Sequence, residues 1–300
     1  MEGAMTEPKT LNEIRLEDGR TLSYAVFGDP TGPPVFYFHG YPGSRLEPGV
    51  GHEAAAGAGV CLIAADRPGF GHSSPKPGRT ILDWPDDVCE LADALGHERF
   101  AAMGVSGGGP YAAACALRIP ARLTEVAIVC GVGPFDVPAA KEGMMRANKI
   151  LFGVARRSPL VLRVMMGFMQ RSLRNPERTI QRMMKSLPEP DRAVMSRPEV
   201  IARFSAAAGE AFRQGTAAAV EEGRLYANPW GFRHAEVSRP VHLFQGELDV
   251  NVPPGMGLYQ ARELPDCNAR FFPDEGHISL VLNRGEEIFA TLLGKPALGA

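Results

Sequence analysis

The sequence predicts an α/β fold, a mostly parallel central sheet flanked by helices and interrupted by an inserted helical segment. Three observations carry this. Short apolar β-like runs alternate with helical stretches along most of the 300 residues, the pattern of a sheet whose crossovers cover both faces. One junction between such a run and a helix reads Gly104-Val105-Ser106-Gly107-Gly108, a sharp strand-to-helix bend. The alternation fails from about Val137 to Arg233, where the pattern is helical without convincing strands. The chain therefore divides into a first core part (1–136), a helical insertion (137–233) and a second core part (234–300). Its 45% hydrophobic content supplies a sizeable core.

The elements follow the punctuation of glycine and proline. The first strands, beginning with Leu22 to Phe27, are expected to form an antiparallel edge. Val35 to Phe38 is an apolar strand that gives way to His39-Gly40-Tyr41-Pro42-Gly43. Val60 to Ala64 is another, followed by Asp66-Arg67-Pro68-Gly69-Phe70-Gly71-His72-Ser73, and Leu82 to Leu95 reads as a helix. The strand through Phe100 and Met103 stops at Gly104, and a helix covering Pro110 to Arg118 carries Tyr111, Ala114, Cys115 and Leu117. Small residues two positions either side of Ser106 let strand and helix approach closely, which strains the serine backbone and pushes its hydroxyl into a cleft. Val126 to Cys130 is the last strand before the insertion.

The insertion is chemically distinct. It holds 17 Lys and Arg against 8 Asp and Glu, a balance of +9, whereas the whole chain carries −2 and the remainder −11. Eight of the 12 methionines fall in it. Between Leu160 and Leu173, the residues Val161, Met165, Phe168, Met169 and Leu173 recur at helical spacing, interrupted by Arg163 and Arg171 and followed by Arg174. This stripe reads first as packing against the core, second as a pliable pocket roof, since methionine adapts to varied apolar shapes, and only third as a membrane-binding surface. The basic residues read as a solvated face or as an attraction for anionic substrates.

After the insertion, Val241 to Phe244 is a buried strand ending in Gly246-Glu247-Leu248-Asp249, and Gly255 to Leu264 is helical. Arg270 to Phe272 is followed by Asp274-Glu275-Gly276-His277, with His277 expected on a loop before a helix from Ser279 to Leu293. A nucleophilic serine needs a base to take its proton and an acid to orient that base. His277 supplies the base, and Asp249, Glu247 and Asp274 compete as the acid. The amide of Gly107, directly after the serine, is placed to stabilise an oxyanion.

The elbow at Ser106, the strand end at Asp249, the loop at His277, the His39-Gly40 loop and the D-x-x-G-x-G-x-S loop at Asp66 together resemble an α/β-hydrolase with a Ser-His-Asp triad. The likeness is to the capped esterase and proline iminopeptidase-like branch, and it covers nearly all of the chain except the middle. It implies an α/β-hydrolase fold with the insertion as a helical cap. It also implies Ser106 as nucleophile, His277 as base and Asp249 as acid, because Asp249 matches the family's strand-end position while Asp274 shapes the histidine loop. The second oxyanion amide falls to Tyr41, whose ring also walls the pocket. His39 and His72 then serve loop hydrogen bonding. The loop departs from the H-G-G-G of many lipases and the H-G-G-P-G of proline iminopeptidase-like enzymes, so neither specificity transfers directly.

The resemblance implies acyl transfer to water on a small to medium, largely apolar carboxylic ester, with no metal and no organic cofactor. The same residues serve aminopeptidases, carbon–carbon bond hydrolases and perhydrolases, and some proteins of this fold keep the triad as small-molecule receptors. Epoxide hydrolases and haloalkane dehalogenases use aspartate where this chain has Ser106. The expected partner is a small-molecule substrate. Nothing points to nucleic acid, and no window approaches the roughly 18 apolar residues of a spanning helix, so no stable membrane insertion is expected. The start lacks a basic n-region and an apolar core, which reads as cytoplasmic. The five cysteines form an odd set without metal-type spacing and read as reduced core residues.

Overall fold

The computed structural model of the protein describes residues 8–295. Its strands are β1 (Lys9–Arg15), β2 (Thr21–Gly28), β3 (Pro34–Phe38), β4 (Cys61–Ala65), β5 (Phe100–Val105), β6 (Leu123–Val129), β7 (Val241–Gly246) and β8 (Cys267–Phe272). They form one sheet in the order β1-β2-β4-β3-β5-β6-β7-β8. The helices before the insertion are α1 (His52–Ala58), α2 (Trp84–Ala94) and α3 (Gly109–Arg118). Between β6 and β7 lie α4 (Arg146–Arg157), α5 (Pro159–Ser172), α6 (Pro176–Met184), α7 (Glu189–Met195), α8 (Pro198–Ala211) and α9 (Ala217–Ala227). The chain closes with α10 (Pro254–Glu263), α11 (His277–Asn283) and α12 (Gly285–Leu292).

The sheet is mostly parallel. β2 pairs antiparallel with both β1 and β4, and every pair from β4 to β8 is parallel. The antiparallel edge is thus built by β1 and β2, while the second apolar run of the sequence, β3, lies mid-sheet between β4 and β5. β1 and α1 have no counterpart in the sequence reading. The first is a polar, largely exposed edge strand, KTLNEIR, and the second is a short HEAAAGA segment, so neither shows a clear apolar period.

Side chains alternate across the strands, which gives the sheet two packed faces. Val35 and Tyr37 of β3 join Ala101 and Met103 of β5 on the face covered by Ile288 and Phe289 of α12. Phe36, Phe38, Phe100 and Ala102 point to the other face, against Trp84, Val88 and Leu91 of α2 and Tyr111 of α3. Each fully buried Phe, Leu or Ile contributes about 1.5–3 kcal/mol.

Local chemistry sets several helix ends. Thr80 donates both its N–H and its hydroxyl to the Asp83 carboxylate, at 2.6 and 2.8 Å, in the turn that leads into α2. Ser158 caps α5 by accepting the Val161 N–H, with Pro159 at the first helical position. The helix expected from Ser279 to Leu293 is divided: α11 ends at Asn283, Arg284 leaves helical geometry at φ −109°, and α12 begins at Gly285. Among the described residues, no helix is long and apolar enough to cross a membrane.

The inserted helices have a core of their own, in which Leu151, Leu162, Met166 and Phe212 pack with Phe70 and against Tyr41. A second cluster joins Ile180, Val194, Met195 and Val200 to Ile278. The first cluster therefore sits on the loops that follow β3 and β4, and the second on α11, which follows β8. In α5 the stripe read from the sequence splits: Met165, Met169 and Leu173 pack inward, whereas Val161 and Phe168 are exposed.

Candidate active site

The parallel strands run the same way, so the loops following β3, β5, β7 and β8 gather at one edge of the sheet, where α/β folds place their ligands. Tyr41 follows β3, Ser106 follows β5, Asp249 follows β7 and His277 follows β8. β3 and β5 are neighbours, which sets Tyr41 beside Ser106.

Ser106 has φ +54°, a left-handed conformation uncommon for a side-chain-bearing residue. It is the one residue from Phe100 to Ala116 that is not buried. The glycines around it are sterically required: a Cβ on Gly104 would lie 2.3 Å from Gly108 O, and one on Gly108 would lie 2.0 Å from Phe38 O. The strand and the turn into α3 can approach this closely only without those side chains, and the approach is what lifts the serine out of the packed layer.

The amides next to Ser106 are fixed from their carbonyl sides. Ser106 O accepts the N–H of Val132 at 2.9 Å, which holds the peptide carrying the Gly107 N–H. Gly40 O accepts Arg67 Nη2 at 2.9 Å, which holds the peptide carrying the Tyr41 N–H. In a trans peptide the N–H points opposite to the C=O, so both anchors aim an N–H away from the scaffold. The space beside Gly107 borders Tyr41 N: a Cβ there would be 3.1 Å from it. The two anchored amides thus belong to adjoining residues beside Ser106.

His277 Nδ1 lies 2.6 Å from Asp249 Oδ2. Asp249 is buried, and its other oxygen accepts the N–H groups of Asn251 and Val252, both at 2.8 Å, which lock its orientation. Burial opposes charge on His277, but the Asp249 carboxylate, with smaller help from Asp191 and Glu47, outweighs it and raises the imidazole pKa above its ordinary 6.5. The competing acids lie elsewhere: Glu247 is exposed, and Asp274 is exposed and paired with Arg284 at 3.0 Å.

His277 is not on a loop before a helix; it is the first residue of α11. The reason is Asp191 of α7, a fully buried carboxylate that accepts the N–H groups of His277, Ile278 and Ser279 at 3.1, 2.9 and 2.9 Å. It supplies acceptors for the first turn's unpaired donors and so starts the helix at the histidine. Cys130, at φ +46° after β6, adds a thiol within 4.8 Å of both Asp249 and His277. Burial pushes that thiol pKa well above its usual 9.0 and keeps it a neutral S–H.

A further carboxylate, Glu47, borders the site. It accepts the Gly40 N–H at 2.8 and 3.0 Å and the Tyr37 hydroxyl at 2.8 Å, and burial raises its pKa. A Cβ on Gly40 would stand 3.3 Å from Glu47 Oε2 and 3.5 Å from Ser106 Cβ, so the glycine is the spacer between them.

Behind the His39-Gly40 loop lies a buried ion network. Arg67 Nη1 donates to His39 O at 2.6 Å, and its Nε and Nη2 donate to Glu222 of α9 at 2.6 and 2.9 Å. Arg79 Nη2 and the Tyr111 hydroxyl reach the same carboxylate at 3.1 and 2.9 Å. Burial works against the Glu222 charge, yet Arg67 and Arg79 hold its pKa down at about 2. Burial beside Arg67 pushes the His39 pKa well below 6.5, so its ring is neutral and hydrogen-bonds within the loop. Tyr41 links the loop to the insertion: its hydroxyl donates to Ala219 O at 2.6 Å, and Gly223 leaves room for it. His72 sits apart, 3.4 Å from Glu210. Asp66 is buried and accepts the Ser23 hydroxyl and the Arg45 N–H, which organises its glycine-rich loop.

Glu222→Gln strands two buried cations and is expected to lower stability by about 3–5 kcal/mol at neutral pH. The folded-state pKa is depressed, so the carboxylate's contribution is complete above the ordinary 4.5 and is lost as pH falls toward about 2. Urea denaturation across that range should show wild type and variant converging in acid; a pH-independent difference would refute the assignment.

The chain belongs to the α/β-hydrolase fold family, whose model matches residues 33–283. Among curated proteins it is similar to the uncharacterized hydrolase YcgS of Bacillus subtilis, with 30% identity over 115 residues. That match covers 38% of this chain and 39% of the relative, so the chain spans well under half of the protein it matches. Among solved structures, a hydrolase from Pseudomonas aeruginosa superposes with a TM-score of 0.69 at 20% identity, covering 95% of this chain and 98% of that one. A thermophilic esterase from Thermogutta terrifontis gives 0.65 at 24% identity, covering 95% and 97%. These structural likenesses concern the fold.

Proposed function

We propose that the protein is a serine hydrolase that cleaves a small to medium, largely apolar carboxylic ester through an acyl-enzyme, with the inserted helices as its cap. The observation that carries this reading is the strained Ser106 at φ +54°, beside the anchored amides of Gly107 and Tyr41 and on the sheet edge that also holds the Asp249–His277 pair. Asp249 takes Nδ1 of His277, which leaves Nε2 to accept the Ser106 proton as the hydroxyl attacks the ester carbonyl. The carbonyl oxygen becomes an oxyanion on the Gly107 and Tyr41 N–H groups. His277 then protonates the leaving alcohol, and water, activated by the same imidazole, releases the acid and restores Ser106.

The apolar preference rests on Tyr41, which stands beside Phe152 and reaches Met166, with its hydroxyl already engaged by Ala219. Each buried methylene adds about 0.8 kcal/mol, or roughly fourfold in kcat/KM. Across esters of one alcohol, kcat/KM should climb from acetyl to medium acyl chains and then fall as the cavity fills. Negligible turnover across the series, with a ligand still bound, would make the protein a receptor and overturn the enzyme reading.

A further inference from the structure

Five of the nine exposed large hydrophobic residues among those described fall in one helical hairpin, α4 and α5. Leu160, Val164 and Phe168 stand at i, i+4 and i+8 on α5, with Leu160 74% and Phe168 70% exposed, while Leu162 and Met166 on the opposite side are fully buried. Val161 and, on α4, Ile150 are also exposed. Scattered surface hydrophobics are ordinary, but a continuous row along a helix calls for a covering medium.

The hairpin's own charge has one sign. From Arg146 to Arg174 the sequence contains seven Lys and Arg and no Asp or Glu. Arg171 continues the row, Arg163 flanks it, and among the described residues none of the seven is in an ion pair. Beside α5 an open groove of about 510 Å³ is lined by Gln170, Arg171, Arg174 and Phe212. This groove contains none of the candidate catalytic residues.

We propose that the outer face of the α4–α5 hairpin docks the protein peripherally on an anionic lipid bilayer, with the Leu160-Val164-Phe168 row entering the headgroup boundary and the flanking arginines meeting lipid phosphates. An amphipathic helix with an apolar face and a purely basic polar complement is the arrangement that binds such surfaces. A second copy of the chain is a poorer occupant, because a twofold interface would set this all-basic face against itself. The inference does not depend on the catalytic reading.

The test is co-sedimentation of the full chain with phosphatidylcholine vesicles and with vesicles of phosphatidylcholine mixed with phosphatidylglycerol. The mixed vesicles should bind at least about tenfold more tightly, and raised salt should remove most of that advantage. Leu160→Ser/Phe168→Ser should weaken binding by at least about tenfold, with the thermal midpoint and the turnover of a water-soluble ester unchanged. Arg163→Gln/Arg171→Gln should reduce the preference for anionic vesicles and leave folding intact. Absence of binding, equal binding to neutral vesicles, or binding that survives the Leu160/Phe168 change would overturn the proposal. So would a solution dimer that ignores vesicles and that the same change converts to monomer.

Discussion

Ser106→Ala is expected to reduce ester turnover by about a million-fold in a protein that still folds. The substitution removes only Oγ from a residue whose neighbours hold the local geometry: Ser106 O stays bonded to Val132 N, and Gly104 and Gly108 still permit the close approach of strand and turn. Because the Gly107 and Tyr41 amides remain in place, a residual rate about 10³–10⁴ above water should survive. A fluorophosphonate should label wild type at Ser106 and leave the variant unmodified. Labelling at another residue, or full activity in Ser106→Ala, would end the assignment of this serine as nucleophile.

The parts of the molecule legible in the sequence are those written in short-range chemistry. The bend at Ser106 is readable because its cause, a glycine two positions to either side, is local, and the parallel strands are readable because buried strands are continuous apolar runs. The positions at Asp249 and His277 are readable from strand ends. What escaped depends on partners far apart in the chain. Asp191 reaches the start of α11 across 86 residues to His277, and Glu222 meets Arg67 across 155, so neither carboxylate differs in sequence from a solvated one. Glu47 is only seven residues from Gly40, yet its inward turn depends on the Tyr37 hydroxyl and the fold of the loop. The α5 stripe was readable as helical but not as two-sided, because the period fixes spacing and leaves the buried face to tertiary packing.

Asp249→Asn is expected to lower kcat by about 10⁴ while leaving the fold intact, and Asp274→Asn to change it by a few-fold at most. In wild type, Asp249 Oδ1 is held by the N–H groups of Asn251 and Val252, so Oδ2 is the atom that faces His277 Nδ1. In the asparagine variant the acceptor oxygen stays with those two amides and the NH₂ group turns toward Nδ1. The imidazole must then carry its proton on Nε2, and the nitrogen needed to accept the Ser106 proton is blocked. The variant has a second signature in pH. Because the Asp249 carboxylate raises the His277 pKa, the acid limb of kcat/KM in wild type should lie above the ordinary 6.5 and move down when that charge is removed. Asp274 has neither lever, since its carboxylate pairs with Arg284 on the surface, away from the ring. Steady-state kinetics across pH for both folded variants decides the matter: greater damage from Asp274→Asn, or an unshifted acid limb in Asp249→Asn, would remove Asp249 from the role proposed for it.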